Sequence, residues 1–295
     1  MKFKFDIKRE LKIGAVLLVL VAVIAFAERK QGSASIKDIT IKVDNVNENH
    51  FIDEEDVVKL MQLNKDNLKG ASLDKVNLKD VEKKIKMNPF VEDAELYSDL
   101  KGNLVVKAEL RRPIARIVRN DGPDGYIAED GTIMPTSEKF TSRVVLISGS
   151  YTRTLLQKDN VNELEEGKQL MEMINTIQSD EFWAAQVAQL DIDGNVRITI
   201  YPQVGDEEIK FGKHENVEAK FKKLMIFYKE ILPRMGWNKY SKVSLEYEGQ
   251  IVAEYSIVFS RSSIDGGLKF KTNSKLISTS LIMKCTEVPL PRRGT

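Results

Sequence analysis

The stretch "MNPFVEDAELYSDLKGNLVVKAELRRPIARI", Met87 to Ile117, decides the fold. Asn88-Pro89 must stop any helix that precedes it, because the residue before a proline disfavours the α region. Val91 to Ser98 then reads as a strand. Lys101-Gly102-Asn103 is a turn, and Leu104, Val106, Ala108 and Leu110 form one face of the next strand. Arg111-Arg112-Pro113 follows, with no nucleophile, metal ligand or phosphate loop beside it.

Upstream of this stretch, "IKDITIKVDN" sets Ile39, Ile41 and Val43 against Thr40 and Lys42, the pattern of a half-buried strand. In "FIDEEDVVKLMQL", Asp53 is placed to cap a helix whose first turn holds Asp56 and whose apolar face holds Val57, Leu60 and Met61. A second helix carries Leu78, Val81 and Ile85 up to the proline stop. Residues 36–112 thus spell β-α-α-β-β.

Beyond Pro113, short strands alternate with turns at "DGPDG" (121–125), "EDGT" (129–132) and "DIDGN" (191–195). Two helices are expected. One carries Leu170, Met173, Ile174 and Ile177. The other carries Phe221, Leu224, Tyr228 and Leu232 and is expected to close at Pro233. Val196 to Tyr201 alternates, as do Val243, Leu245 and Tyr247. The fold class is therefore α+β, with a mainly antiparallel β domain over 113–253. Residues 254–295 hold seven serines and seven Lys or Arg against three acids, and no continuous apolar pattern, so a poorly ordered tail is expected there.

At the other end, "IGAVLLVLVAVIAFA", Ile13 to Ala27, is free of charge. As a helix it reaches roughly 22 Å, short of the ~30 Å hydrocarbon core, but Leu11 extends it and Lys12 and Arg29 can snorkel. Lys2, Lys4, Lys8, Arg9 and Lys12 hold the short end, residues 1–12, in the cytoplasm. A single transmembrane signal anchor over 13–30 and a signal peptide cleaved after Ala25-Phe26-Ala27 both fit. Either one exports the rest of the chain.

Chemistry is sparse. Two histidines, His50 and His214, and one cysteine, Cys285, allow no usual zinc pattern. Lys+Arg number 45 and Asp+Glu 44, which gives no electrostatic reason to expect nucleic acid. Ser72-Leu73-Asp74-Lys75 spells S-x-x-K, but no S-D-N follows and Lys271-Thr272-Asn273 is not K-T-G. An anchored cell-wall enzyme acting through Ser72 is the weaker reading. "DIDGN" lacks the distal Glu of a calcium loop and reads as a hairpin turn. Arg111, Arg112, Arg116 and Arg119 read as strand positions of which alternate ones are solvated.

The order of these parts resembles the FtsQ/DivIB family of bacterial cell-division proteins, with residues 36–112 similar to a POTRA domain. "NPFVEDAEL" (88–96) resembles the family's helix-end pattern, with Phe90 where Trp is usual. "ELRRPIARI" (109–117) is similar to its junction between domains, "GYIAEDGTIMP" (125–135) to its hairpin, and "LISG" (146–149) to a later turn. The resemblance implies a domain junction at Phe90, Arg111, Arg112 and Pro113. It implies a non-enzymatic divisome scaffold in the cell membrane at the septum, with no cofactor and no small-molecule substrate, binding FtsB/FtsL-type membrane partners outside the cytoplasm. A POTRA-type polypeptide-handling factor is a further alternative, but the following β-barrel it needs is absent. In the family the partner docks on the last strands, here "KVSLEYEGQIVAEY", Lys242 to Tyr255. Read as one strand at a sheet edge, it turns Val243, Leu245 and Tyr247 inward and offers Ser244, Glu246, Tyr247, Gln250 and Val252 as the partner-binding set. Tyr247 matches the tyrosine of the family's "L-R-Y", and Glu246 stands where an arginine can occur.

Overall fold

The hairpin foreseen at residues 91–110 forms the centre of the first of two units. The computed structural model describes residues 14–24, 36–44, 50–61, 76–99, 101–255 and 280–284. Unit 1 comprises Met1–Arg112 with Ser137–Thr141, and unit 2 comprises Pro113–Thr136 with Ser142–Thr295. Residues 14–24 are helical (α1), and Val16, Leu18 and Val23 on it are exposed. Among the described residues, no helix is long and apolar enough to cross a membrane. The rest of the apolar run, the possible cleavage site and Ser72 lie outside the described residues.

In unit 1, β1 (Ile39–Asp44), α2 (Glu54–Leu60), α3 (Leu78–Lys86), β2 (Val91–Ser98) and β3 (Leu104–Leu110) build a three-stranded sheet ordered β1-β3-β2. β3 is central, parallel to β1 and antiparallel to β2. Val57, Val81 and Ile85 of the helices share a core with Val91, Leu104 and Val106 of the sheet. Asp53 caps α2 in a reciprocal box: the Asp56 N–H donates to Asp53 Oδ1 at 2.9 Å, and the Asp53 N–H donates to Asp56 Oδ2 at 3.2 Å. α3 ends before Asn88-Pro89, where Asn88 Oδ1 accepts from the Phe90 N–H at 2.9 Å. The Asp99 carboxylate closes the β2–β3 turn, accepting from the N–H groups of Lys101 and Asn103 at 2.8 Å each.

Residues 137–141 also belong to unit 1, which the local sequence gives no means of seeing. Lys139 Nζ reaches Asp53 Oδ2 at 2.8 Å and also Asp56, and the Phe140 ring meets Phe51 edge-on at 5.2 Å. The Lys139 ammonium holds the Asp53 carboxyl down at about 2.

Unit 2 contains β4 (Pro113–Ile117), β5 (Gly125–Ala128), β6 (Ile133–Pro135), β7 (Val145–Ser148), α4 (Thr152–Leu155), α5 (Glu165–Ser179), α6 (Glu181–Gln186), β8 (Val187–Ile192), β9 (Ile198–Pro202), β10 (Glu208–Gly212), α7 (Val217–Ile226), α8 (Leu232–Met235), β11 (Tyr240–Ser244), β12 (Gln250–Tyr255) and β13 (Ser280–Lys284). The ten strands form one sheet ordered β13-β12-β11-β10-β9-β8-β7-β4-β5-β6. Most pairings are antiparallel, but β4–β7, β7–β8 and β10–β11 are parallel. One face, with Ile147, Leu190, Ile200, Ile209, Val243 and Ile251, packs against α5, α6 and α7. The alternate residues Ser148, Gln189, Thr199, Lys210 and Ser244 are half-buried on the other face.

Two expectations are corrected. There are more than two helices. The second foreseen helix does not close at Pro233: α7 passes into a π-helical turn, Phe227–Ile231, and continues as α8, with Pro233 in its first turn. Proline has no N–H and crowds the carbonyl four residues back, and the wider π register absorbs both. Gly236, at φ +105°, ends the run. Of the tail expected from Glu254 onward, Glu254 and Tyr255 complete β12 and residues 280–284 add a strand to the sheet, while the rest lies outside the described residues.

Candidate functional site

The foreseen strand Lys242–Tyr255 is a hairpin of β11 and β12. The pairs Lys242↔Glu254, Val243↔Ala253 and Ser244↔Val252 fix its register. The alternation of Val243, Leu245 and Tyr247 suggests an unbroken strand, but the inward side stops at Leu245. Val243 and Leu245 are fully buried, whereas Tyr247 is 53% exposed. The chain turns between them and β12, with Gly249 at φ +67°, a conformation that other residues rarely adopt.

The turn is held from beneath. Lys223 Nζ, on α7, donates to the carbonyls of Leu245 at 2.9 Å and Tyr247 at 2.7 Å, and lies 3.5 Å from that of Gln250. One ammonium thus takes up carbonyls that the turn leaves outside the sheet ladder. Glu246 lies over Gly212, whose φ is +76°; a Cβ there would come within 2.7 Å of Glu246 Cγ. The Leu245 N–H still donates to the Lys210 carbonyl at 2.9 Å, so the turn begins only after that bond is made. Tyr247 is presented outward by a braced loop.

The structure brings the five sequence-predicted partner residues into this one hairpin. Ser244 and Val252 are direct cross-strand neighbours, Gln250 opens β12, and Glu246 and Tyr247 occupy the turn. It does not make β12 the edge. The outer side of β12 is paired antiparallel with β13 through Gln250↔Lys284, Ile251↔Met283, Val252↔Ile282, Ala253↔Leu281 and Glu254↔Ser280.

Of the junction residues, Phe90 stacks on Phe51 at 5.1 Å within unit 1, and its carbonyl accepts from the Arg111 N–H at 2.9 Å. Arg112 is exposed, and buried Pro113 is the first residue of β4, a strand position proline tolerates. Reading alternate arginines as solvated fails for Arg116 and Arg119. Arg116 reaches Asp124 Oδ2 at 2.7 Å and lies over the Tyr126 ring, and Arg119 pairs with Asp121 at 2.9 Å. The Asp124 contact raises the Arg116 pKa.

A cavity of about 620 Å³ lies beside β7 and β8. Its charged groups are mutually satisfied: Asp121 joins Arg119 and Arg153, and Asp191 accepts from the Ser148 hydroxyl at 2.6 Å. Glu207, just before β10, is 1% exposed and accepts from the Tyr228 hydroxyl at 2.9 Å. Burial pushes its carboxyl up. "DIDGN" is the β8–β9 turn, with Asp193 Oδ1 accepting from the N–H groups of Asn195 and Arg197. Among the described residues, no group of three or more His, Cys, Asp or Glu could hold a metal ion.

Sequence reasoning missed Lys223 and Glu207. Neither carries a local signal, since each acts on residues about twenty positions away.

Comparison with known proteins gives three findings. A family model described as "FtsQ/DivIB, C-terminal related" matches residues 112–254, and one described as "POTRA-like domain" matches residues 35–109. The chain is also similar to a protein of Syntrophotalea carbinolica named "Cell division protein FtsQ". They are 25% identical over 238 residues, covering 77% of this chain and 81% of the relative. The braced hairpin lies at the C-terminal end of the first of these matches.

Proposed function

Because the chain belongs to the FtsQ/DivIB family of cell-division proteins, we propose that it is a non-enzymatic scaffold of the division machinery whose docking site is the β11–β12 hairpin. In this reading residues 13–30 form an uncleaved single-pass anchor, residues 1–12 face the cytoplasm, and the two domains, 36–112 and 113–253, lie outside it at the septum. FtsB/FtsL-type membrane partners are captured there and linked to septal cell-wall synthesis. Arg111, Arg112 and Pro113 act as the junction between the domains.

The observation that carries this reading is the turn itself. Large exposed aromatics on ordered loops are suited to anchoring a partner, because they bring area at low conformational cost. Tyr247 is such a residue, and its own carbonyl and that of Leu245 are fixed by Lys223. Next to it, Ser244 and Val252 are cross-strand neighbours and Gln250 opens β12, so the hairpin beside the turn has the extended geometry that a partner strand pairs with.

The test uses full-length protein extracted from membranes, carrying Tyr247→Glu. Co-purified small membrane proteins are expected to fall at least fivefold while the melting temperature stays within a degree or two. Unchanged co-purification with an unchanged melting temperature removes the hairpin as the site. A lowered melting temperature assigns Tyr247 to packing instead.

A further inference from the structure

The row of backbone groups that a partner strand would need on β12 is already occupied. Five consecutive residues, Gln250 to Glu254, are matched to Lys284 through Ser280. A strand has two sides in its ladder, and β11 takes the other one. No second strand can pair with β12 from outside while β13 is in place. A partner must then either displace β13 or pair with its outer edge. The second course places the partner one strand spacing, about 4.8 Å, further from the Tyr247 turn. The first course places it directly beside Gln250, three residues from Tyr247.

We propose that Ser280–Lys284 is a built-in competitor for the docking edge, and that an extended, antiparallel partner segment engages the hairpin by displacing it; this rests on the hairpin's being the docking site. The geometry suits displacement. β13 has five residues and, among the described residues, lies at the end of the sheet with β12 as its one neighbour. Its association is intramolecular and does not depend on concentration, so a partner prevails by offering more contacts than five residue pairs. Tyr247 is where those added contacts are available.

The experiment compares the full chain with a Leu281→Pro/Ile282→Pro double variant. Successive N–H groups of a strand point to opposite sides, so one of the two prolines must remove a donor aimed at β12 whatever the register of bonded pairs. The probe is a fluorescent peptide copying residues 277–284, ISTSLIMK. It is expected to bind the variant at least tenfold more tightly than the unaltered chain, at equal melting temperature. Equal binding to both proteins overturns the proposal. Membrane proteins co-purified per molecule should rise at least threefold in the variant. Selective peptide binding with equal co-purification overturns the competition but leaves the hairpin as the docking site. If neither protein captures a specific membrane partner, the scaffold reading fails and the competition fails with it.

Discussion

The two ends of the ten-stranded sheet are finished differently. At one end β6 has three residues, terminates in Pro135, and is tied in with its turn by residues 159–162. The Ile133 N–H donates to the Asp159 carbonyl at 2.9 Å, and the side-chain amides of Asn160 and Asn162 each donate to the Asp130 carbonyl at 3.1 Å. Short strands, proline and covering loops are ordinary means of blunting an edge. At the other end β12 has six residues, no proline, and a cover drawn from residues 280–284. The β6 closure uses specific side-chain bonds. The β12 closure uses a strand's backbone pairing, which another extended segment can replace. An edge kept six residues long and free of proline under such a cover is an edge suited to exchange.

The largest expected effect comes from damaging the permanent end. Gly131 sits at φ +86°, and a Cβ there would meet Asn162 Nδ2 at 2.3 Å. Gly131→Val should cost about 3 kcal/mol of stability, seen as a lower melting temperature. Capture of membrane proteins by the folded fraction should be unaltered. Loss of capture at a temperature where the variant is folded would show that the two ends are coupled.

A smaller effect is expected at the exchangeable end. Lys223→Met removes the donor that braces the Tyr247 turn and should cost about 1.5 kcal/mol. Capture should fall by more than the drop in folded protein explains, because the turn loses its fixed shape. Equal losses in both would make Lys223 a stability residue alone.

Glu207 supplies a control that belongs to neither end. Burial raises its carboxyl pKa in the folded chain. The folded state therefore binds this proton more tightly than the unfolded state does. The contribution to stability is fully present below the unfolded pKa and is lost as pH rises through the folded one. In Glu207→Gln that loss is absent, so its melting temperature relative to the unaltered protein should climb between pH 4 and pH 8. A difference constant across this range would contradict the burial argument. The ISTSLIMK peptide should bind the variant no better than it binds the unaltered chain.

Much of unit 1 was legible because its signals are local. The Asp53 cap lies three residues from Asp56, the Asn88-Pro89 stop adjoins the helix it ends, and Asp99 closes a turn of a few residues. The "GYIAEDGTIMP" hairpin likewise folds on itself as β5 and β6. The candidate site was legible in its residues but not in its shape. Period-two alternation through Leu245 and Tyr247 hid the turn, though Gly249 was the one residue in that run marking a break. What brings Tyr247 out is Lys223, on a helix twenty-four positions back in the chain. What covers β12 is a segment whose composition gave no strand pattern, and pairing of that kind is specified by the partner strand. The place of residues 137–141 in unit 1 was hidden for the same reason, since Lys139 finds its carboxylates more than eighty positions away.

The most direct test of the account is photo-crosslinking in living cells from the two ends of the sheet. A photoreactive amino acid replaces Val252 on β12 in one strain and Ile133 on β6 in another, each in the full-length chain. The account predicts a discrete adduct with a small membrane protein from position 252 and none from position 133. Adducts from position 133 with none from position 252 would contradict it.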